Sequence, residues 1–184
     1  KSPKPRVVSG VSLYSGRCTL TRNSLPRCGW KASSVDLREI ESGVDPSTHW
    51  YYRSKARLLR KVDNRSVRIL VDVGSGSGYF AQVAARNCSP WEVVQVDPNY
   101  DAESESIEGG TLFRRVKRKP KSFSEVDSIL LMDVLEHVEE PEKLLMQYVE
   151  ESESGCEYLI TVPAYQFMWS DHDTVSYTHL TLPT

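Results

Sequence analysis

The most constraining feature of the chain is a glycine-rich turn between an apolar segment and a segment of helical character. Residues 69–73 read Ile-Leu-Val-Asp-Val, and Gly74, Gly76 and Gly78 follow them in a G-x-G-x-G pattern. β-Branched residues favour a strand, and closely spaced glycines let the backbone turn sharply and approach a bound molecule. The pattern therefore predicts a strand, a tight turn and a helix over residues 67–87.

The remaining segments alternate between predicted strands and helices, which is typical of an α/β fold with a doubly wound, mostly parallel sheet. Further strands are predicted at 91–96, 111–116, 126–132 and 157–162, and helices at 35–41, 49–62 and 140–151. Residues 101–110 are predicted to form a polar loop or one short helix, and residues 45–48 to cap the helix that follows them. Ligands of such sheets bind beyond the carboxyl ends of the strands.

The composition bounds the domain count and the class of partner. A chain of 184 residues with 39% hydrophobic content is long enough for one α/β domain, and its net charge of −2 disfavours nucleic-acid or membrane-surface binding. No apolar run reaches the roughly 18 residues of a membrane span. The four cysteines form no C-x-x-C pair and no metal-like spacing with histidines. We therefore expect a cytoplasmic protein with reduced thiols and no metal site.

The two ends of the chain differ from its body. Residues 1–33 carry seven basic side chains and no acidic one, which indicates a disordered or non-native leader; a partner-binding arm is the alternative. Residues 175–184 resemble a translated sequencing adapter. A start at Lys1 rather than Met suggests a fragment. The domain is therefore expected to span residues 34–174.

The spacing of the glycines narrows the possible ligands. A dinucleotide-binding turn of the G-x-G-x-x-G type needs its third glycine where this chain has Tyr79. The observed D-x-G-x-G-x-G pattern instead resembles motif I of class I S-adenosylmethionine-dependent methyltransferases. The resemblance implies a Rossmann-like methyltransferase topology and S-adenosyl-L-methionine as the cofactor. The cofactor-binding residues it implies in this segment are Asp72, Gly74, Ser75, Gly76 and Gly78. Asp72 either orients the turn or faces the ammonium group of the donor.

A second acidic residue lies at the end of the next predicted strand. Asp97 stands 21 residues beyond Gly76, where a carboxylate can accept both ribose hydroxyls of a bound nucleoside. The alternative is a turn-forming Asp-Pro pair, since Pro98 follows. NAD enzymes share this feature, so it supports nucleoside binding without deciding between the cofactors.

The segment Met132–Val138 carries a second resemblance. Its sequence, Met-Asp-Val-Leu-Glu-His-Val, is similar to the D-V-L-E-H-V segment of bacterial small-molecule methyltransferases of the type 11 and type 12 groups. The resemblance implies that Asp133 lines the donor pocket near the transferred methyl group, and that Glu136 and His137 open the next helix. His137 is a catalytic candidate, with a packed or capping histidine as the alternative.

Two further segments resemble the acceptor side of the same group. Residues 162–173 are similar to its V-P-A-…-W-S-x-H-D loop, and residues 49–52 to the H-W-Y-Y start of its leading helix. His172 is a candidate general base, oriented by Asp171 or Asp173; a surface loop anchored by buried Tyr165 and Trp169 is the alternative. The acceptor contacts implied are His49, Trp50, Tyr51, Tyr165, Trp169 and Asp173. Three adjacent aromatic residues cannot share one helical face, so at least one is expected to point toward a ligand or a partner; core packing plus an exposed tyrosine is the alternative.

Two departures from the family pattern affect these expectations. Residues 114–118 read Arg-Arg-Val-Lys-Arg and contain no acid to meet the adenine amine. The family sheet also has two strands beyond the one predicted at 157–162. We therefore expect a C-terminally truncated domain in which that strand is an unprotected edge.

Together these patterns predict methyl transfer from S-adenosyl-L-methionine to a small-molecule or glycan/lipid-precursor acceptor. Two alternatives remain open, an NAD(P)-dependent oxidoreductase and a non-catalytic nucleoside-binding module. No nucleic-acid or membrane partner is expected, and the oligomeric state is left open.

Overall fold

The computed structural model describes residues 6–8, 11–14, 43, 45–60, 67–120, 125–153 and 155–162. Its strands are β1 (Arg6–Val8), β2 (Val11–Tyr14), β3 (Ile69–Val73), β4 (Glu92–Val96), β5 (Ser104–Glu108), β6 (Thr111–Val116), β7 (Val126–Met132) and β8 (Glu157–Thr161). Its α-helices are α1 (Trp50–Leu59), α2 (Tyr79–Cys88) and α3 (Pro141–Glu151), and Leu135–His137 forms a short 3₁₀ helix.

The strands form one eight-stranded sheet in the order β1-β2-β8-β7-β3-β4-β6-β5. Strand β3 lies at its centre and pairs in parallel with β4 and β7, which in turn pair in parallel with β6 and β8. The order reverses at β3, so the crevice between β3 and its neighbours is where such a sheet binds ligands. The predicted α/β, mostly parallel, Rossmann-like fold is confirmed.

The sheet separates two hydrophobic layers, because successive strand residues point to opposite faces. One layer packs Leu70 and Val93 against α1 and α2, and we call it the α1/α2 face. The other packs Val71 and Val94 against α3, and we call it the α3 face. Helices on both faces make the sheet doubly wound, as the alternating sequence pattern predicts.

The segment predicted as a loop or short helix at 101–110 is instead an edge strand. Strand β5 pairs antiparallel with β6, and all five of its residues are exposed. Gly109 and Gly110 join the two strands with φ of +58° and +88°, the conformation that a two-residue type I′ hairpin turn requires. The prediction was wrong because it followed the polar composition of residues 101–110, although a Gly-Gly pair is typical of a hairpin turn.

The expectation of a free edge at β8 is also wrong. Strand β2 pairs antiparallel with β8 from Val11 opposite Thr161 to Tyr14 opposite Tyr158, and β1 continues the sheet beyond it. The short apolar run of β2 does not by itself indicate its partner, because β8 lies far away in the sequence. The leader boundary at residue 33 stays a prediction, and the predicted helix at 35–41 and the tail at 175–184 lie outside the described residues.

Two starts of elements differ from their predicted positions. The N-cap of α1 is His49 without a side-chain cap, since the Asp45 carboxylate accepts the Ser47 amide hydrogen at 2.8 Å and forms a turn ahead of the helix. The prediction that residues 45–48 cap the helix is therefore wrong. Trp91 is 73% exposed and precedes β4 rather than lying in a buried strand.

The Asp127 side chain stabilises the irregular start of the pairing between β3 and β7. The register between β3 and β7 shifts at this point, with Ile69 opposite Val126 and Leu70 opposite Ser128. The Asp127 carboxylate accepts the backbone amides of Arg68 at 2.7 Å and Ile69 at 3.3 Å. Burial opposes ionisation, but these bonds and the Arg68 guanidinium outweigh it and lower the pKa of Asp127 below its ordinary 3.8.

Asp127→Asn is expected to destabilise the domain by about 1 kcal/mol at neutral pH, which is below the usual contribution of a bond to a charged group because the side chain is 30% exposed. Since the folded-state pKa is depressed, this stabilisation is present above pH 3.8 and is lost as the pH falls through the folded value. Urea unfolding at pH 7 and at pH 3 measures both effects. Glu125→Gln, an exposed neighbour of the same arginine, is the matched control and should change stability by less than about 0.5 kcal/mol. Equal effects of the two variants would contradict the assignment.

Candidate functional site

The predicted cofactor residues lie at one edge of the sheet. The glycine turn follows β3, Asp97 follows β4 and Asp133 follows β7. Because these three strands are parallel neighbours, their carboxyl ends meet at the same edge. The structure thus brings together all the cofactor-binding residues that the sequence predicts, and their contacts with a cofactor stay predictions.

The glycine turn requires glycine at two of its positions. Gly74 and Gly78 have φ of +66° and +83°, in the left-handed region that side chains disfavour. A Cβ atom on Gly78 would lie 2.0 Å from Nε2 of Gln95, and one on Gly74 would lie 2.7 Å from Cγ2 of Val134. Bare backbone is therefore packed directly against the side chains of β4 and of the segment after β7.

A buried hydrogen bond between Asp72, in β3, and Ser75, in the turn, stabilises the turn. The Ser75 hydroxyl donates to Oδ2 of Asp72 at 2.7 Å, and both residues are buried. The backbone amides of Gly74 and Ser75 donate to the Val96 carbonyl oxygen at 2.8 and 3.2 Å, which joins the turn to β4. These contacts correspond to the turn-orienting role predicted for Asp72, while a contact with a donor's ammonium group stays a prediction.

Asp97 is also engaged by the chain itself. Its Oδ2 accepts the Gly76 amide hydrogen at 2.9 Å, and its Oδ1 accepts the backbone and side-chain nitrogens of Asn99 at 2.8 and 3.0 Å. The residue is 3% exposed. A carboxylate accepts about four hydrogen bonds, so binding of two ribose hydroxyls requires one of these donors to move away. The turn-forming contacts are present, and the ribose role stays a prediction.

Arg115 and Gln95 form a polar layer that contacts the glycine turn, and the sequence did not predict it. From β6, Nη2 of Arg115 donates to the Ser77 carbonyl oxygen at 3.2 Å, and its Nε donates to Oε1 of Gln95 at 3.3 Å. The guanidinium also lies 5.5 Å from the ring centroid of Tyr100, whose pKa is raised by burial. The available signal was strand alternation, which places Arg115 on the same face as Phe113.

The Asp133 carboxylate is the centre of a second cluster. Asp133 has a φ of +56°, and its Oδ2 accepts hydrogen bonds from the Tyr51 hydroxyl and the Lys55 ammonium. Its Oδ1 accepts the Thr161 hydroxyl at 3.0 Å. We name these four residues, Asp133, Tyr51, Lys55 and Thr161, the Asp133 cluster. Lys55 was missed, although its position one helical turn after Tyr51 places it on the same side of α1.

The aromatic start of α1 divides its side chains as predicted. Tyr52 is fully buried, Trp50 is 63% exposed, and the partly buried Tyr51 reaches Asp133. The expectation that the three rings do not share one face is confirmed. His49 is partly buried, with its ring centroid 5.7 Å from that of Tyr52. Acceptor contacts of His49, Trp50 and Tyr51 stay predictions.

The prediction that Glu136 and His137 open the next helix is wrong. They belong to the 3₁₀ helix Leu135–His137, and extended backbone at Val138 separates it from α3, which starts at Pro141. Proline at the first helical position sets that start, because its fixed φ suits the first turn. Glu136 is buried and His137 is partly buried. The other predicted acceptor-side residues, Tyr165, Trp169, His172 and Asp173 with its neighbour Asp171, lie outside the described residues.

The part of the chain that the structure describes contains neither a metal-binding cluster nor a membrane-crossing helix. No group of three or more His, Cys, Asp or Glu side chains in this part of the chain is placed to hold a metal ion. Among the helices described, none is both long enough and apolar enough to cross a membrane.

The chain is similar to a known protein family. A family model described as a methyltransferase domain matches residues 47–180, which include α1, the glycine turn, Asp97 and the Asp133 cluster. No curated protein and no solved structure matches the chain.

Proposed function

Since this chain belongs to the methyltransferase domain family, we propose that it transfers a methyl group from S-adenosyl-L-methionine to a small-molecule or glycan/lipid-precursor acceptor. Family membership establishes methyl transfer in general. The choice of donor rests on one observation. The turn after β3 contains three glycines with left-handed backbone conformation, and an aspartate follows each of the two neighbouring strands, Asp97 after β4 and Asp133 after β7.

The chemistry of these residues fits such a donor. The glycine turn presents bare backbone, and α2 starts directly after it, so its first amide groups can receive the donor's carboxylate. The Asp97 carboxylate offers acceptors for hydroxyl groups, and the Asp133 carboxylate, already bonded three times within its cluster, has one acceptor position left. When bound, S-adenosyl-L-methionine supplies a methyl group on an already activated sulfonium. The chain's contribution is therefore chiefly to bind and align the donor and the acceptor.

On the acceptor side we propose contacts from the start of α1 and from the segment after β8. His172, oriented by Asp171 or Asp173, would remove a proton from the acceptor, with His137 as the second candidate. The residues proposed to contact the acceptor are His49, Trp50, Tyr51, Tyr165, Trp169 and Asp173. The structure describes only the first three, so the choice of base follows from the family resemblance alone.

Calorimetric titration of the full chain with S-adenosylhomocysteine and, separately, with NADH tests the proposal. We expect S-adenosylhomocysteine to bind and NADH to give no heat of binding. Binding of NADH alone would favour an NAD(P)-dependent oxidoreductase. Binding of S-adenosylhomocysteine without methyl transfer to any of a panel of hydroxyl, amine and thiol acceptors would favour a non-catalytic nucleoside-binding module. If a folded sample binds neither ligand, the proposed donor is wrong.

Asp97→Ala is expected to weaken binding of S-adenosylhomocysteine by about 1–3 kcal/mol, because charge-assisted hydrogen bonds to the donor and to the Gly76 amide are lost together. Titration of the variant after circular dichroism has confirmed its fold measures the effect. Asp101→Ala, which removes an exposed carboxylate four residues away, is the matched control and should bind as the unchanged chain does. Unchanged affinity in Asp97→Ala would remove Asp97 from the site.

A further inference from the structure

The conformation of Asp133 directs its carboxylate toward α1. Non-glycine residues rarely adopt a φ such as the +56° of Asp133, and they hold it only when their surroundings enforce it. Here the Asp133 amide donates to the carbonyl and hydroxyl oxygens of Thr161, both at 3.1 Å. The carboxylate is thereby held where Lys55 reaches it, and the two side chains are only 11% and 15% exposed.

This ion pair borders the glycine turn. Val134, the residue after Asp133, packs so closely on Gly74 that a Cβ atom there would lie 2.7 Å from its Cγ2 atom. Asp133 also follows β7, the parallel neighbour of β3, so the pair lies at the same sheet edge as the turn. Both side chains are largely buried there, where solvent screens charges less than it does at the surface.

We propose that Lys55 is a positioning residue that sets the charge beside the donor by neutralising Asp133. This inference rests on the proposed function. The methyl donor carries a positive sulfonium, whereas the product S-adenosylhomocysteine has a neutral sulfur in the same place, and the two molecules otherwise present the same groups. A lone carboxylate at this position favours the cationic donor over the neutral product, and the ammonium of Lys55 cancels that preference.

Neutralisation of the Asp133 charge favours methyl transfer. Methyl transfer removes positive charge from the sulfur, so a site that bound the sulfonium through an unpaired carboxylate would stabilise the reactant more than the transition state. Only interactions that strengthen toward the transition state accelerate the step. Lys55 thus prevents the site from stabilising the bound donor more than the transition state.

An alternative role for the pair is to fasten α1 to the sheet. In that case removal of either charge would loosen the helix and weaken binding of the donor and the product alike. The ratio of the two affinities separates the roles, because the two ligands differ in charge at the sulfur, while a loosened helix affects both.

The test measures the dissociation constants of S-adenosylmethionine and S-adenosylhomocysteine for the full chain and for three variants. Lys55→Met removes the cation but keeps most of the side-chain bulk, and it is expected to shift the affinity ratio about fivefold toward the cationic donor. Asp133→Asn removes the anion at nearly equal shape and is expected to shift the ratio in the opposite direction. Lys55→Arg keeps the charge and should stay within about twofold of the unchanged chain.

Opposite shifts in the first two variants support the inference, and either one suffices if the other does not fold. A ratio that stays constant while both affinities fall would overturn it and assign the pair to anchoring α1. Failure of the unchanged chain to bind either ligand would instead overturn the proposed function, and this inference with it.

Discussion

Gly78→Ala is expected to destabilise the domain by about 3 kcal/mol and to abolish tight binding of S-adenosylhomocysteine. The position has a φ of +83°, and the new Cβ atom would lie 2.0 Å from Nε2 of Gln95. Gln95 is 2% exposed and its amide oxygen is bonded to Arg115, so it cannot move away without losing that contact. The strain falls on the turn that is proposed to hold the donor.

Gly110→Ala is the matched control for this substitution. Its φ of +88° imposes nearly the same backbone strain, but no atom lies within 4 Å of the new Cβ. It should cost about 1 kcal/mol and leave ligand binding unchanged. The difference between the two variants, measured by urea unfolding and calorimetry, isolates the clash with Gln95. Adding Gln95→Ala to Gly78→Ala should recover part of the lost stability, and equal costs at the two glycines would contradict the close contact.

Tyr52→Ala is expected to cost about 4 kcal/mol, within the range measured for removal of buried aromatic side chains. Tyr52 is fully buried on the α1/α2 face, and its ring centroid lies 5.7 Å from that of Tyr79 and 5.8 Å from that of Phe80. It packs α1 onto the start of α2, next to the glycine turn. Its removal should therefore lower the affinity for S-adenosylhomocysteine as well as the stability.

Two variants separate the causes of this effect. Tyr52→Phe keeps the ring and removes only the hydroxyl, so its cost measures the polar contribution. Trp50→Ala removes a larger side chain two residues earlier, but Trp50 is 63% exposed and the change should stay within about 0.5 kcal/mol. Thermal unfolding of the three variants would contradict the assignment of Tyr52 to the core if Trp50→Ala proved the most destabilising.

The sequence predicted most of the fold because its central strands carry strong local patterns. Thr111–Val116 and Val126–Met132 were located to the residue, since both segments are rich in apolar and β-branched side chains and are bordered by polar or glycine-containing turns. The errors arose at strands whose pairing the local apolar pattern does not reveal. Strand β5 is exposed along its whole length, and β2 depends for its pairing on β8, at the other end of the described chain.

The candidate site was predicted in its position but not in its contacts. Residues placed directly after strands, such as Gly74 and Asp97, follow from the topology, because parallel strands end at one edge. That the Asp97 carboxylate bonds the Gly76 amide, or that Lys55 reaches Asp133, depends on side-chain orientations fixed only by packing between distant elements. Arg115 was missed for the same reason, since its residue type on an edge-side strand indicates a solvated position as readily as a buried contact.

The pairing of β2 with β8 has a consequence for the order of folding. The hairpin of β1 and β2 is local and can form early, but its partner strand at Glu157–Thr161 is synthesised only after the whole intervening sheet. Closing so long a loop is slow, since its entropy must be lost before the pairing is formed. During synthesis the hairpin therefore presents an unpaired strand edge to other chains for as long as β8 is absent. The last backbone hydrogen bonds of the sheet join the earliest segment of the described chain to the latest.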